Sequence, residues 1–263
     1  MKKKIAITFF LSAIVLVCLF CMKFYLTHEY KITLNKNFHR TDKDIFIVFH
    51  GIYGEDKDLE QISKVLTDKG YPVVNIQYPT TEENIEQMTE KYISSIIEEH
   101  SKNLNRINFE RKSRNEKEIK LNFIVHSMGS VLLRYYLKTH EVSNIGKVLF
   151  ISPPSHGSHL SDNFISDSLL YFIGPAVAQI KTDKNSFVNT LGEPDYQCYI
   201  LTGDHSDNFI YSLIIPGNDD GMIPLTTARL QNCIIKTIEN TTHTTILKSE
   251  DTFKEIENYF EIK

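Results

Sequence analysis

Apolar and polar positions fall along this chain in two kinds of block. Residues 45–49 (IFIVF), 72–77 (PVVNIQ), 121–125 (LNFIV), 147–152 (KVLFIS), 197–202 (QCYILT) and 233–237 (CIIKT) are short, nearly continuous apolar runs. Such runs read as strands buried on both faces. Between them, 59–69 has helical spacing with Gly70 as its stop. Residues 81–99 place Ile85, Met88, Tyr92, Ile96 and Ile97 on one stripe, a helix resumes through Val131, Leu132, Leu133 and Tyr136, and 251–260 reads as a closing helix. Strands alternating with helices predict an α/β fold, a mostly parallel central sheet with helices on both faces. Residues 27–43 are polar without a period and read as a tether, and 100–118 as a charged surface loop. The run at 209–215 (FIYSLII) looks strand-like.

The amino end has a different pattern. Three lysines follow Met1, and 5–22 (IAITFFLSAIVLVCLFCM) carries no charge. Eighteen helical residues span roughly 27 Å, enough to cross a hydrocarbon core. Bulky side chains occupy every plausible cut after the run, and neither Cys18 nor Cys21 follows a small residue. The segment reads as an uncleaved membrane anchor over 1–26, with a cleaved signal peptide as the alternative. Lys2 to Lys4 favour an extracytoplasmic domain, although Lys23, Lys31 and Lys36 weaken the asymmetry.

Composition narrows the classes. A length of 263 residues with 41% hydrophobic and 24% charged positions sustains one large core, and excludes a wholly disordered or polytopic chain. With 29 basic and 33 acidic side chains, net −4, no basic surplus points to nucleic acid. Four cysteines are too few for a disulfide-dense scaffold. Whether Cys198 and Cys233 pair is left open by the sequence.

The chemistry gathers at chain positions that follow strands. Strand 121–125 runs into His126-Ser127-Met128-Gly129 and then a helix. A sharp strand-to-helix turn exposes a serine and aims the helix amino end at the reacting centre. Small residues are wanted two before and two after that serine; Gly129 meets the second demand and Val125 departs from the first. Ser130 stands where a second glycine is frequent. An ordinary loop serine is the plain alternative. Two further signals follow: Gly217-Asn218-Asp219-Asp220-Gly221-Met222-Ile223-Pro224, and His243 between the final strand and the final helix. Ser127, Asp220, His243 is a chain order expected of a nucleophile, an orienting acid and a base on successive loops. Asp220, fourth from Gly217, is preferred to Asp219; the plain alternative is a turn built from Asn, Asp and Gly. After the first strand, His50-Gly51-Ile52-Tyr53-Gly54 lets the backbone curl close to a substrate. Ile52 N–H, with Tyr53 as the other candidate, and Met128 N–H are the expected oxyanion donors. His50 reads as a brace for that loop. His156 and His159 lack the acidic or thiol company of a metal site, so neither metal nor cofactor is expected.

Taken together, these segments resemble the α/β-hydrolase superfamily and, within it, bacterial serine hydrolases of the lipase/esterase kind. The likeness rests on the HG loop at Gly51, the strand Gly70-Tyr71-Pro72-Val73-Val74-Asn75, the elbow His126-Ser127-Met128-Gly129-Ser130, the segment Pro153-Pro154-Ser155-His156-Gly157-Ser158 and the acid loop 217–221. It covers about 44–263 and implies a catalytic domain over that span. It implies hydrolysis of carboxylic esters, lipid or acyl esters foremost, by a Ser-His-Asp triad through an acyl-enzyme; the expected contact with a membrane comes separately, from the amino-terminal run 5–22. An acyltransferase with the same triad and a non-catalytic binding protein are the alternatives. The apolar stretch within 155–190 (Leu169 to Ile173, Ala176, Val177, Ile180) is expected to supply an acyl pocket or cap, or else a core helix.

Overall fold

The computed structural model describes residues 28–162 and 173–262. Seven strands form one sheet: β1 (Lys31–Leu34), β2 (Ile45–Phe49), β3 (Val73–Gln77), β4 (Leu121–His126), β5 (Ile145–Ile151), β6 (Cys198–Gly203) and β7 (Cys233–Ile238). Their order is β1-β3-β2-β4-β5-β6-β7, parallel except for β1, which runs antiparallel to β3. This matches the expected α/β architecture.

Burial on both faces explains the apolar runs. Along β2, Ile45, Ile47 and Phe49 point into one core layer, and Phe46 and Val48 into the other. The first layer is closed by α2 (Ile85–Met88), α3 (Ser94–Ser113) and α4 (Gly129–Thr139), which contribute Met88, Leu104, Leu132 and Tyr136. The second is closed by α1 (Glu60–Asp68) and by the carboxy-terminal helix Glu250–Phe260, through Ile62, Leu66 and Ile256. At the end of α1, Gly70 has φ 85°, a backbone conformation that favours glycine.

Three sequence expectations change. Residues 31–34, inside the segment read as a tether, form the edge strand β1; at four exposed residues it is too short and too wet to leave a burial pattern. The charged stretch 100–118 is not a loop throughout, because α3 continues to Ser113. Its buried stripe includes Ser101 and Asn108, so polar residues interrupt the apolar period. Asn108 is held there by two hydrogen bonds to the Ile119 backbone, each 2.9 Å. The third change is at 209–215, where Phe209–Ile214 is a helix rather than a strand. Asn208 caps it, its side chain accepting from Ile210 N and Tyr211 N.

The expected anchor over 1–26 lies outside the described residues, as does the apolar run 169–172. Among the described residues no helix is long and apolar enough to cross a membrane. Cys198 and Cys233 sit directly opposite each other on β6 and β7 and are joined by a disulfide.

Candidate active site

β4 ends at His126, and the chain turns at Ser127 with φ 51° before entering α4. That left-handed conformation is costly for a residue with a side chain, by about 1–3 kcal/mol, and it persists only where the surroundings enforce it. Here the surroundings are the loop after β2. A Cβ on Gly51 would stand 2.5 Å from Ser127 Cβ, and one on Gly129 would stand 2.6 Å from the His50 carbonyl oxygen. The space the turn needs is therefore supplied by Gly51 and Gly129, and Val125 is accommodated in the first core layer. Ser130 is also accommodated, its hydroxyl donating to the Ser127 carbonyl at 2.7 Å.

The loops after β4, β6 and β7 bring the three chosen side chains together. His243 Nε2 lies 2.9 Å from Ser127 Oγ, and His243 Nδ1 lies 2.9 Å from Asp220 Oδ2. With Asp220 ionised, Nδ1–H donates to it and Nε2 is left to accept from the serine hydroxyl. Burial pushes the Asp220 carboxyl upward, but the neighbouring His243, with its hydrogen bond and the Ile223 N–H, outweighs burial and holds it below the usual carboxylate range. Its other oxygen accepts from Met222 N at 3.0 Å and Ile223 N at 2.8 Å. Asp219 faces elsewhere, accepting from Gly221 N at 2.7 Å.

The loop 50–54 is braced as expected of His50. The ring Nδ1–H donates to the Gly51 carbonyl at 2.8 Å, and Nε2 accepts from Tyr78 N at 3.2 Å. The imidazole stacks on Tyr78, whose hydroxyl donates to the His50 carbonyl at 2.6 Å. Burial pushes the His50 pKa down to about 4, so the ring is neutral. Tyr53 N–H is taken by Thr80 Oγ1 at 3.0 Å. Among the described residues no hydrogen-bond partner meets the Ile52 or Met128 N–H, which leaves both free to bind an incoming oxygen.

Sequence reading missed the supports. His126 Nε2–H donates to the His243 carbonyl at 2.9 Å, and His243 N donates to the Asp220 carbonyl at 2.7 Å. Burial pushes the His126 pKa down to about 3, so it adds no charge beside His243. Thr80 and Tyr78 complete the brace. The adjacency of His126 to the serine was the one available signal; the others depend on contacts far apart in sequence.

An apolar hollow of about 160 Å³ reaches Ser127, lined by Ile52, Leu160, Val177, Ile180, Met222 and Ile223. A second, of about 330 Å³, opens on the His243 side and shares Ile52 and Met222 with it. Leu160, Val177 and Ile180 belong to the stretch expected to form an acyl pocket. A larger hollow of about 790 Å³ sits around Val142, Gly146 and Tyr196, at the opposite end of the sheet. His156 pairs with Asn189 and His159 with Asp162.

Comparison with known proteins bears on the fold. Residues 39–156 match the family described as "Putative serine esterase (DUF676)". The mature form of the Bacillus licheniformis lipase BlEst2 is similar over 87% of this chain and 97% of its own, with TM-score 0.66 and 17% identity. Est1E from Butyrivibrio proteoclasticus, bound to ferulic acid, is similar over 88% of this chain and 94% of its own, with TM-score 0.56 and 12% identity. Legionella pneumophila phospholipase PlaB is similar over 82% and 63%, with TM-score 0.56 and 14% identity. Among curated proteins there is no match. The likeness to these solved structures is one of fold, that of lipases and esterases, and the family match covers the part of the chain that carries β2 to β5 and Ser127. Fold and family match support an ester-cleaving hydrolase.

Proposed function

We propose that this chain is a membrane-anchored serine hydrolase that cleaves carboxylic esters of lipid or acyl type. One observation carries the proposal: Ser127, His243 and Asp220 form a buried hydrogen-bonded relay, each link 2.9 Å. His243 Nε2 takes the Ser127 proton as Oγ bonds to the ester carbonyl carbon, and Asp220 stabilises the imidazolium. The oxyanion is held by the N–H groups of Ile52 and Met128. Collapse of this intermediate breaks the bond to the alcohol oxygen, which leaves with the proton from His243. Water, activated by His243, then hydrolyses the acyl-serine and restores the enzyme. The apolar hollow at Ser127 suits an acyl chain, and the hollow beside His243 suits the alcohol. A cap formed within 155–190 belongs to the same proposal.

For placement, the uncharged run 5–22 supports a single amino-terminal span. The Cys198–Cys233 disulfide favours an oxidising, extracytoplasmic setting for the domain.

The test is turnover of p-nitrophenyl esters of increasing chain length. Ser127→Ala lowers turnover on the order of 10⁴-fold or more, and Asp220→Asn about 10⁴-fold, with the fold intact by circular dichroism. Unchanged turnover in Ser127→Ala contradicts the assignment.

A further inference from the structure

The described chain begins on the same face of the domain as Ser127. β1 pairs Lys31 with Gln77, the last residue of β3, so its start lies at the carboxy-terminal ends of the parallel strands. The loops bearing Ile52, Ser127 and His243 emerge at that end. Contacts before β1 agree: Gln77 Nε2 donates to the Glu29 carbonyl at 2.9 Å, and His28 Nε2 lies 3.5 Å from Glu55, next to the 50–54 loop. Five residues separate Met22 from His28, and fully extended they span at most about 18 Å. A bilayer holding 5–22 is therefore close to the active-site face and not to the opposite one.

A second feature lies across that face. The helix Phe209–Ile214 rises after β6, again at the carboxy-terminal end of the sheet, and none of its residues is buried. Phe209, Ile210 and Leu213 are 76%, 67% and 70% exposed. Neighbouring Tyr211 lines the hollow that reaches Ser127. β1 and β6 stand five strand positions apart, about 24 Å, with β4 and its serine between them. Contiguous apolar surface of this kind marks an interaction site, and the nearby membrane segment indicates which one.

We propose that the active-site face rests on the bilayer, with the helix Phe209–Ile214 inserted as a second attachment opposite the amino-terminal one. The ester is then drawn from the membrane that anchors the chain, into the opening between the two. The proposal rests on the anchored-esterase reading above and adds an orientation and a docking surface to it.

The chain contains no tryptophan, so a single introduced one reports its own position. Full-length Leu213→Trp and Phe109→Trp are reconstituted into phosphatidylcholine vesicles carrying nitroxide-labelled acyl chains. Phe109 is 78% exposed and sits near the end of α3, toward the far end of the sheet. In vesicles that float with the protein, Leu213→Trp emission shifts to the blue and is quenched by roughly half or more, while Phe109→Trp is unaffected. Leu213→Asp lowers hydrolysis of a vesicle-borne ester roughly tenfold, the loss of one leucine's transfer from water, and leaves soluble p-nitrophenyl butyrate turnover unchanged. Floating protein with Leu213→Trp as unquenched as Phe109→Trp overturns the proposal. Protein that does not float overturns the anchor and the proposal with it. Quenching needs no turnover, so quenching without ester hydrolysis leaves the docking surface standing and removes the esterase reading.

Discussion

Two buried histidines, His50 and His126, support the loops around Ser127, and that support depends on their staying neutral. His50 and His126 are buried, hydrogen-bonded in one tautomer each, and held at about 4 and about 3 against an ordinary value of 6.5. A depressed histidine pKa means that the unfolded chain binds more protons than the folded one below pH 6.5. Stability is therefore fully present above that pH and lost as pH falls toward 4. Each ring contributes a slope of about 1.4 kcal/mol per pH unit within that window. Unfolding free energies from urea titration at pH 7 and pH 5 are expected to differ by several kcal/mol, with a shallower dependence in His50→Asn. Equal stability at the two pH values would contradict neutral burial. At this scale the three residues could be singled out in the sequence: Ser127 and His243 follow readable strands, and Asp220 stands in a Gly-Asn-Asp-Asp-Gly loop even though the run before it is a helix. The choice of Asp220 over Asp219 came from its place in the loop, and it is Asp220 that meets His243. The braces Tyr78, Thr80 and His126 were not legible, since their value lies in contacts with residues distant in the chain.

Elements that pack on both faces were readable, and those with mixed or missing burial were not. β2 and β4 are apolar at every position except Asn122 and the terminal His126, which gives a continuous signal. The second half of α3 buries Ser101 and Asn108 on its core stripe, so its period is lost. Phe209–Ile214 has β-branched and aromatic residues that favour a strand locally, while the Asn208 cap and the lack of a sheet partner make it a helix. The junction of β4 with α4 is the element on which the site depends. Gly129→Ala puts a methyl group 2.6 Å from the His50 carbonyl oxygen and 3.2 Å from the Phe49 ring. Neither neighbour can yield freely, since both lie in the braced β2 end. The substitution is expected to cost about 1–3 kcal/mol and to displace the serine by enough to lower ester turnover about 10²-fold. Denaturant titration and turnover of the same preparation check both, and an unaltered variant would contradict the packing described.

Across the whole molecule, the sheet was foreseeable but its closure was not. Alternating strands and helices fix the class of fold, yet pairing of Cys198 with Cys233 depends on the β6–β7 register, which no local pattern encodes. The disulfide joins the last two strands across a sequence separation of 35. A cross-link of that span contributes about 3–4 kcal/mol in the chain-entropy account, so reduction, or Cys233→Ser, is expected to lower the melting temperature on the order of 10 °C. An unchanged melting temperature after verified reduction would contradict a stabilising cross-link.

The central claim concerns a serine activated by its neighbours, and labelling with a fluorophosphonate addresses it most directly. Full-length protein is exposed to the reagent beside Ser127→Ala and a heat-denatured sample, and the adduct is located by peptide mass. The account predicts near-stoichiometric labelling at Ser127, absent from both controls. No labelling of folded wild-type protein, or labelling that persists in Ser127→Ala, would contradict it.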